Sequence, residues 1–491
     1  MLERELKLNA SAEFRLPDLS IGGLDAVVAG RRYLDAVYYD TADLRLARWG
    51  CSLRHRTDEG WTVKLPPVAD WDLQQRKEVR FRGSWDQIPT AAEALVRVFT
   101  RRAPLQQIAR LRTVRKPVLL VDGLGRCIAE VVDDDVSTYR GQGPAGRFRE
   151  IEIELAEGTD EEILNGLVSS LREAGAGSIS RMSKLARALG SSALRDPDVV
   201  VAEPGDVPSA GEVIQTAFAR SAHRFIVHMP GVHLGEDPEA LHQARVATRR
   251  LRSDLRTFGP LLDEDWVTSF RDELRWLGSA LGRVRDVDVL TLRLAATARQ
   301  LPSADRYPLR VMMTMLHSER ERRRRALLKA VGEDRYLELL DQMVEGANHP
   351  RLLPSADRPF REALLTLVEA PFEWLMQTVT ELPDKPADAD LHRIRIRAKR
   401  VRYAAEAIAP VVGKKAARFA TAAARLQDTL GELQDSTVAY TWLMNSANHH
   451  PAIAFTAGQL AGFEIARAES ARTGWFPAWQ VLSGDKLRSW M

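Results

Sequence analysis

The sequence predicts a multi-domain α+β protein in which an N-terminal antiparallel β-barrel precedes a C-terminal all-α bundle with pseudo-two-fold symmetry. Up to about residue 155, short and often alternating segments are separated by turn signals, whereas long Ala-, Leu-, Arg- and Glu-rich segments dominate beyond residue 208. The second part also contains two copies of one pair of motifs. Numerous strands with few intervening helices favour an antiparallel sheet, and an internal repeat favours two related helical halves.

The N-terminal part contains short segments that are typical of β-strands, because apolar and polar residues alternate within them and turn residues such as Asp58-Glu59-Gly60 follow. The predicted strands are Leu2–Leu8, Ala36–Tyr39, Ser52–Arg56, Trp61–Leu65, Glu78–Arg82, Pro117–Val121, Cys127–Val132 and Arg149–Leu155. Thr90–Phe99 and Asp160–Ala174 are predicted helices, and Thr159 is the predicted N-cap of the second.

A segment rich in proline and acidic residues separates the two parts. Residues 191–208 contain three prolines, one glycine and four acids against one arginine. We therefore predict domains at residues 1–190 and 209–491, joined by a linker at 191–208. Within the second domain, proline and glycine are expected to interrupt the helices. The expected breaks are Pro230-Gly231, Gly259-Pro260, Pro302, Pro350, Pro383–Pro386 and Pro410–Gly413.

The composition excludes several classes of protein. The 70 Lys and Arg residues nearly balance the 67 Asp and Glu residues, and the net charge of +3 excludes a globally basic nucleic-acid coat but not local basic stripes. The two cysteines exclude a disulfide framework and fit a reducing compartment. No apolar run approaches the ~18 residues that a membrane-spanning helix needs, and the N-terminus lacks the apolar core of a signal peptide. We therefore expect a cytoplasmic protein without membrane contact.

Two paired motifs recur in the helical part. The motif that begins His242-Gln-Ala-Arg245 returns as His392-Arg-Ile-Arg395, at an offset of 392 − 242 = 150 residues. A Leu-Gly-x-x-x-Asp motif follows each copy, beginning at Leu281 and at Leu430, at an offset of 430 − 281 = 149 residues. Two pairs at nearly the same offset predict two related helical halves.

Each copy of the first motif opens a stripe of basic side chains. A histidine and three cations occur at i, i+3, i+7 and i+10, which is the spacing of one helical face. No acid occurs between Leu391 and Ala405, although acids normally relieve the repulsion between cations on a solvated helix. Duplicated and unrelieved charge indicates a polyanionic partner. Because Tyr403 is the sole aromatic residue here, we expect a linear polyanion without bases and no sequence-specific nucleic acid.

The paired motifs resemble the CHAD domain, a conserved histidine α-helical domain, from about Ser209 to the C-terminus. The resemblance implies a two-fold helical bundle with a basic central groove, inorganic polyphosphate as partner, and an association with polyphosphate granules. It assigns polyphosphate binding to His242, Arg245, Arg249, Arg252, Arg256, His392, Arg395, Lys399 and Arg402. Lys399 stands where the first stripe has Arg249, which preserves charge but not bidentate geometry. The separate run Glu319–Arg325 is interpreted as a solvated helix face.

Charged residues also alternate along the predicted strands, so that they share one face of the sheet. The residues concerned are Glu3, Glu5, Lys7, Arg54, Arg56, Lys64, Glu78, Arg80, Arg82, Glu150, Glu152 and Glu154. If the sheet closes, this face becomes a lumen in which acids for metal ions lie beside a ring of cations for phosphates. Mg²⁺ prefers oxygen ligands and bridges carboxylates to phosphate oxygens, and Arg and Lys neutralise a transferring phosphoryl group. The pattern indicates phosphoanhydride hydrolysis.

The opening Glu3-x-Glu5-x-Lys7 resembles the signature of the CYTH superfamily, the triphosphate tunnel metalloenzymes. Further residues match this family in order, as far as about Gly190. They are Tyr39-Asp40-Thr41, Leu46, Gly50, Leu53-Arg54-x-Arg56, Lys64, Glu78, Arg112–Arg115, Glu130, Asp133, Glu152, Glu154 and Ser183-Lys184. The ordered set is far more specific than the opening motif alone.

The CYTH resemblance implies roles for these residues. A divalent metal, Mg²⁺ or Mn²⁺, would be held by Glu3, Glu5, Asp133, Glu152 and Glu154. Catalysis and binding of the triphosphate would fall to Lys7, Arg54, Arg56, Lys64, Glu78, Arg112, Arg115 and Lys184. Glu150 remains an alternative to Glu154, and Arg112 to Arg115. The implied reaction is hydrolysis of inorganic triphosphate to diphosphate and phosphate. Hydrolysis of thiamine triphosphate or another organic triphosphate, and non-catalytic polyphosphate binding, are the alternatives.

Overall fold

The chain folds into two compact units, Met1–Asp198 and Val199–Met491. The computed structural model describes residues 4–66, 77–141, 143–156, 158–180, 182–302 and 306–490. The division between the units falls inside the predicted linker, but the first part of that linker belongs to the first unit. There Asp198 accepts a hydrogen bond from Trp49 Nε1 at 2.8 Å and pairs with Arg101 at 2.6 Å.

The first unit is built on a single antiparallel sheet, as predicted. Its strands are β1 (Arg4–Ala10), β2 (Asp25–Val28), β3 (Arg32–Asp40), β4 (Ser52–Arg56), β5 (Gly60–Lys64), β6 (Glu78–Phe81), β7 (Gln106–Val121), β8 (Cys127–Arg140) and β9 (Gly143–Leu155). The strand order is β1-β9-β8-β7-β3-β4-β5-β6, and β2 pairs with β7. This order places β1 beside β9, so the first and last predicted strands are neighbours.

Helices are interspersed with the strands of the first unit. They are α1 (Arg45–Arg48), α2 (Thr90–Thr100), α3 (Glu161–Glu173) and α4 (Lys184–Leu189). The predicted N-cap of α3 is wrong: Asp160, not Thr159, accepts the hydrogen bond from Glu162 N–H. Thr159 instead donates its hydroxyl to the carbonyl of Ile128 at 3.2 Å. The sequence missed α1 and α4 because four and six residues are too few to establish a helical period.

The two faces of the sheet are covered by different elements. On one face, Leu167 and Leu171 of α3 pack with Leu8, Val131 and Ile153. The alternate residues of β1, β8 and β9 therefore point to the opposite face. On that opposite face, Leu185 and Leu189 of α4 pack with Tyr38, Leu111 and Val136. The charged residues that alternate with these apolar positions, among them Lys7, Glu130, Glu152 and Glu154, thus lie on the face that α4 partly covers.

The second unit is helical throughout its described regular structure. Its helices are α5 (Ala210–Leu234), α6 (Pro238–Thr257), α7 (Glu264–Ala298), α8 (Arg306–Ala330), α9 (Asp334–Asn348), α10 (Phe360–Ala363), α11 (Leu365–Thr380), α12 (Asp388–Val412), α13 (Lys414–His449), α14 (Ala454–Ser483) and α15 (Asp485–Arg488). Helix α6 packs between α5 and α7, α12 packs between α11 and α13, and α6 also contacts α12. The two repeats therefore occupy equivalent helices that meet each other. Within the described residues, no helix combines the length and the apolar character needed to cross a membrane.

The predicted helix break at Pro230-Gly231 is wrong. Helix α5 continues through Pro230 and ends only at Gly235, whose φ of 73° is left-handed. Proline removes one backbone hydrogen bond, but Pro230 is buried together with Met229 and Val232, and this packing outweighs the loss. Gly231 lets two helices approach closely, since a Cβ atom at this position would lie 2.5 Å from Cβ of Ala240.

The Tyr39-Asp40-Thr41 motif organises the turn that leads from β3 into α1. The buried Asp40 carboxylate accepts hydrogen bonds from the N–H groups of Thr41, Leu46 and Ala47 at 2.7, 2.8 and 2.9 Å. We expect Asp40→Ala to lower the free energy of unfolding of the first unit by roughly 2–4 kcal/mol, because three buried N–H groups lose a charged acceptor. Asp43→Ala, at a half-exposed position in the same turn, is the control. Equal losses in urea unfolding of the two variants would contradict this role.

Candidate active site and anion-binding surface

Strand register aligns acidic residues in a row across three neighbouring strands. Glu5 of β1 pairs with Glu154 of β9, which in turn pairs with Glu130 of β8. In the next row on the same face, Lys7 lies opposite Glu152. Glu3 lies outside the described residues. The row favours Glu154 over Glu150 as the partner of Glu5, because Glu150 lies four residues earlier on β9, opposite Asn9.

A network of ion pairs occupies the next level of this face. Lys184, the first residue of α4, places its Nζ 2.9 Å from Asp134, 2.9 Å from Glu150 and 2.7 Å from Glu152. Arg115 donates to Asp134 at 2.7 Å and to Glu152 at 2.8 Å. All three carboxylates are nearly inaccessible, with side-chain exposures of 0%, 2% and 3%. They persist as buried anions because each is paired with a cation.

The same network governs the protonation of its cations. Burial alone would lower the pKa of Lys184, but the charges of Glu152, Asp134 and Glu150 outweigh it and raise the pKa well above the ordinary value. Burial likewise acts to lower the pKa of Arg115, whereas its bond to Asp134 and the charge of Glu152 raise it. Both side chains therefore remain cationic and available to phosphate oxygens at any physiological pH.

The acids of this face have the right chemistry for a divalent metal. Glu130 Oε1 is buried and has no hydrogen-bond partner among the described residues, although a buried carboxylate oxygen normally requires one. Carboxylate oxygens suit Mg²⁺ and Mn²⁺. In the part of the chain that the structure describes, no three acidic, histidine or cysteine side chains are grouped as ready metal ligands. Cations lie between the carboxylates instead, so metal binding would exchange one cation for another.

A second charged cluster lies on β4, β5 and β6. Arg54 and Arg56 lie on the same face as Tyr38, and Lys64 pairs with Glu78 across the next strands. Burial acts to raise the pKa of Glu78, but the charges of Lys64 and Arg54 prevail and lower it. Three of the predicted phosphate-binding cations, Arg54, Arg56 and Lys64, thus lie in a cluster that also contains its own carboxylates.

Glu59 is a central member of this cluster that sequence reasoning did not select. Its carboxylate pairs with Arg54 at 2.9 Å, with Arg56 at 3.0 Å and with Arg80 at 2.6 Å. The turn Asp58-Glu59-Gly60 gave no sign of this, because contacts between a turn residue and its flanking strands are invisible to periodicity. Asp134 was missed as well, although it shares its side of β8 with Glu130.

Two predicted site residues lie on the other face of the sheet. Asp133 accepts bonds from Arg149 at 2.7 Å and contacts Lys116 at 3.5 Å. Arg112 pairs with Asp35 at 3.2 Å, and more than half of its side chain is exposed. Asp133 is one residue from Asp134 and Arg112 is three residues from Arg115, and a shift by an odd number of residues along a strand reverses the face. We therefore remove Asp133 from the candidate metal ligands and Arg112 from the candidate phosphate ligands.

The two basic stripes of the second unit converge on Lys399. This side chain has no carboxylate partner among the described residues, and it lies near arginines of both stripes. Burial and the charges of Arg249, Arg395, Arg245 and Arg252 lower the pKa of Lys399 to about 7. Helices α6 and α12 therefore bring their cations together rather than displaying them on separate surfaces.

The Leu-Gly motifs have a structural role that explains their pairing with the stripes. A Cβ atom at Gly282 would lie 3.6 Å from Nε of Arg245, and one at Gly431 would lie 3.5 Å from Nε of Arg395. Each glycine therefore provides the surface on which an arginine of its own repeat rests. Asp286 of the same motif pairs with Arg245 at 3.2 Å.

Several arginines of this surface lack acceptors. The buried Nε atoms of Arg249, Arg395, Arg271 and Arg400 have no hydrogen-bond partner among the described residues. Arg271 lies on α7 and was not selected from the sequence, nor was Arg400. Burial and the neighbouring cations Arg400, Arg252 and Arg275 lower the pKa of Arg256. The cationic surface thus extends over α6, α7 and α12. We name it the basic surface, and its members are Arg245, Arg249, Arg252, Arg256, Arg271, Arg275, Arg395, Lys399 and Arg400.

The remaining stripe residues have different surroundings. Glu406 forms salt bridges with Arg402 at 2.7 Å and with Arg250 at 3.0 Å, so this end of the second stripe is neutralised. His392 is exposed. Burial lowers the pKa of the half-buried His242, and Arg285 lowers it further.

The run Glu319–Arg325 is only partly a solvated face. Arg322 and Arg325 are exposed, and Arg322 pairs with Glu319. Arg323 and Arg324 instead donate to the backbone carbonyls of Arg283 and His233.

The structure thus defines a class of protein that combines two kinds of unit. One is an antiparallel sheet with paired acids and cations on one face, and the other is a duplicated helical unit with a basic surface. The CYTH domain model matches residues 1–189 and the CHAD domain model matches residues 216–444. Two proteins of Mycobacterium tuberculosis, "Uncharacterized protein MT2285" and "Uncharacterized protein Rv2226", are each 32% identical to this chain over an alignment of 503 positions. The alignment covers 92% of this chain and 91% of each relative. The chain belongs to the family of these two proteins, and it joins a CYTH domain to a CHAD domain.

Solved structures resemble parts of the chain. PptA from Streptomyces chartreusis is 24% identical with a TM-score of 0.48, over 55% of this chain and 99% of its own. The CHAD domain from the plant Ricinus communis is 26% identical with a TM-score of 0.47, over 59% of this chain and 96% of its own. HpAC1 from Hippeastrum, described as a putative adenylyl cyclase with a dominant triphosphatase activity, is 17% identical with a TM-score of 0.22, over 38% of this chain and 94% of its own.

The crowding around Lys399 predicts a stability that depends on pH. Its pKa is about 7 in the folded unit and roughly 10.4 in an unfolded chain. Between these values the unfolded chain binds more protons, so stability rises with pH from about 7 to about 10, and below 7 the repulsion acts in full. We expect Lys399→Met to stabilise the second unit by roughly 2 kcal/mol at pH 6 and progressively less towards pH 10.

Thermal unfolding of the full chain in dilute buffer without phosphate measures this effect. Lys329→Met, at an exposed position on α8, is the control and should leave the pH dependence unchanged. A Lys399→Met protein that unfolds at the wild-type temperature at every pH would show that Lys399 is not strained by its neighbours.

Proposed function

We propose that the first unit hydrolyses inorganic triphosphate to diphosphate and phosphate. CYTH proteins are triphosphatase- or cyclase-like enzymes that depend on divalent metal ions. The observation that carries the proposal is the juxtaposition on one face of the acid row Glu5–Glu154–Glu130 and the cations Lys7, Arg115 and Lys184. The acids suit a metal ion and the cations suit phosphate oxygens, so a metal–triphosphate complex satisfies both sets together.

The reaction transfers a phosphoryl group to water. A water oxygen forms a bond to a terminal phosphorus of the triphosphate, and the bond between that phosphorus and its bridging oxygen breaks. The electron pair leaves with diphosphate, and the proton lost by water passes to a phosphate oxygen or to solvent. Arg54 and Arg56 neutralise the charge on the transferred phosphoryl group, while Lys7, Arg115 and Lys184 orient the rest of the triphosphate. The acid row and Glu152 would hold Mg²⁺ or Mn²⁺, which would supply further charge neutralisation and orient water.

Because of the existing ion pairs, the binding of metal and the binding of triphosphate depend on each other. Lys7 lies 3.0 Å from Glu152, and Lys184 contacts the same carboxylate. Metal alone would displace these cations and leave them unpaired, and triphosphate alone would leave the carboxylates unpaired. Binding both together satisfies every charge, so we expect metal and triphosphate to bind cooperatively.

We expect carboxylate-to-amide substitutions in the acid row to abolish turnover and preserve the fold. Glu5→Gln and Glu154→Gln should each lower kcat at least about 100-fold in phosphate-release assays, because a metal ligand is lost at constant shape. Asp135→Asn, which lies on the opposite face of β8 and pairs with Arg147, should retain near-normal activity. Glutamine variants that keep a near-normal kcat at the Mg²⁺ concentration that saturates the wild type would contradict the assignment. A panel of inorganic triphosphate, thiamine triphosphate and nucleoside triphosphates distinguishes inorganic from organic substrates.

We propose that the second unit binds inorganic polyphosphate. The unpartnered Nε atoms of Arg249, Arg395, Arg271 and Arg400 support this, since a buried N–H group of a guanidinium without an acceptor favours an anionic ligand. The aromatic ring of Tyr403 lies 5.3 Å from the guanidinium carbon of Arg249 and is buried. It is therefore unavailable for stacking on bases, which favours a polyanion without bases over nucleic acid.

Charge reversal at the centre of the basic surface tests this second proposal. We expect Arg249→Glu with Lys399→Glu to weaken polyphosphate binding at least about 100-fold, and binding by the wild type to fall with added salt. The control is Arg322→Glu with Arg325→Glu, since these side chains are exposed, whereas Arg323 and Arg324 donate to backbone carbonyls.

Fluorescence titration with polyphosphate, with double-stranded DNA of matched charge as competitor, provides the measurement. If DNA competes as well as polyphosphate on an equal-charge basis, the basic surface is a general polyanion site and the proposal fails. Equal losses in the two double variants would also refute it.

A further inference from the structure

The carboxylate of Glu59 occupies the position in the arginine cluster that an anionic ligand would take. It is only 10% exposed, and it contacts three guanidinium groups, those of Arg54, Arg56 and Arg80. Arg54 and Arg56 are the cations to which the terminal phosphoryl group is assigned in the proposed reaction. Glu59 therefore competes with phosphate for the same hydrogen-bond donors.

The position of Glu59 in the hairpin gives this competition a direction. Arg54 and Arg56 follow one another on the same face of β4, and the turn that carries Glu59 begins directly after β4 ends. An anion that lies along Arg54 and Arg56 and extends towards the turn meets the Glu59 carboxylate next. Arg80 pairs with Glu59 from β6, and most of its side chain is exposed, so it marks the outer limit of the cluster.

We propose that Glu59 sets the length of phosphate chain that the site accepts, selecting triphosphate over longer linear polyphosphates. This inference rests on the proposed triphosphatase function. With triphosphate bound, the terminal phosphoryl group takes over Arg54 and Arg56, and Glu59 keeps Arg80. A further phosphoryl group would have to displace Glu59 from Arg80 as well, leaving an unpaired and largely buried carboxylate beside an anion. Glu59 is thus a specificity residue and takes no part in bond making or breaking.

This selection also separates the two units by substrate length. The first unit would accept a short chain, while the second would bind a long polyphosphate that the first does not degrade rapidly. A site without Glu59 would begin to accept the chain ends of longer polyphosphates.

The test compares the full-length wild type with Glu59→Gln, using tripolyphosphate and tetrapolyphosphate as substrates. The readout is the ratio of kcat/KM for the longer substrate to kcat/KM for the shorter one. We expect this ratio to rise about tenfold in Glu59→Gln, because the substitution removes a negative charge that would repel the longer phosphate chain at close range. Asp58→Asn is the matched control: Asp58 is the neighbouring turn acid and also bonds Arg56, at 2.7 Å, but it is half exposed and contacts neither Arg54 nor Arg80. Its ratio should stay at the wild-type value.

A purely structural role for Glu59 predicts a different result. If the carboxylate only holds the hairpin together, Glu59→Gln lowers both kcat/KM values in proportion and leaves their ratio unchanged, which would overturn the inference. An equal rise of the ratio in Asp58→Asn would overturn it too. A wild type that is inactive on tripolyphosphate would instead refute the proposed function.

A second variant covers the case in which Glu59→Gln fails to fold. The double variant Glu59→Gln with Arg80→Gln removes the carboxylate together with one of its three cations, which leaves less unpaired charge in the hairpin. The same rise in the ratio is expected for this variant. An unchanged ratio in a folded double variant would overturn the inference.

Discussion

Pairing of buried carboxylates with Lys and Arg is the interaction on which the first unit depends. Asp134, Glu150 and Glu152 are almost inaccessible to solvent, and anions in that position are tolerated only with cationic partners. Lys184 contacts all three, and it is the first residue of α4, whose Leu185 and Leu189 pack onto the same face of the sheet. The apolar contacts of α4 and the ion pairs of Lys184 therefore support each other. The resulting site is electrically balanced before any ligand binds.

The second unit follows the opposite electrostatic logic. In its basic surface, Arg245 pairs with Asp286 and Arg275 with Asp272, but Lys399 and the buried Nε atoms of four arginines have no such partner among the described residues, so the repulsion is relieved only in part. Gly282 and Gly431 leave room for Arg245 and Arg395 to rest against α7 and α13, which holds these arginines in position. Such an arrangement lowers the stability of the folded unit but favours affinity for an anion, as is common in binding sites. Outside this surface, Glu406 neutralises Arg402 and Arg250 at one end of the second stripe.

The contrast bears on how the two units handle phosphate. Under the proposed functions, a site whose carboxylates are already paired would exchange its own ion pairs for those with a metal and a phosphate chain, and would therefore respond to the number of charges that the ligand brings. A basic surface with unrelieved repulsion would instead bind a long polyanion without bases. Discrimination by chain length would accordingly belong to the first unit, where Glu59 lies among the arginines, and capacity for long chains to the second.

Much of the fold was predictable because backbone periodicity is local. Alternation along the strands placed the acids and cations of the sheet on one face, and the repeat of the His-x-x-Arg motif placed two stripes on equivalent helices. Errors arose where packing overrode local preference. Helix α5 runs through Pro230 because its flanking residues are buried, and β7 begins at Gln106 although only Pro117–Val121 has a strongly apolar pattern.

The sequence by itself determined which residues share an element and a face, since a period of two or of 3.6 residues depends only on neighbouring positions. The tertiary structure decided which faces meet. Strand register selected Asp134 over Asp133, the fold of the β4–β5 turn placed Glu59 among three arginines, and the contact between α6 and α12 set Lys399 beside Arg249. Such partners are distant in sequence or separated by a turn. Their proximity depends on packing between elements, which periodicity does not encode.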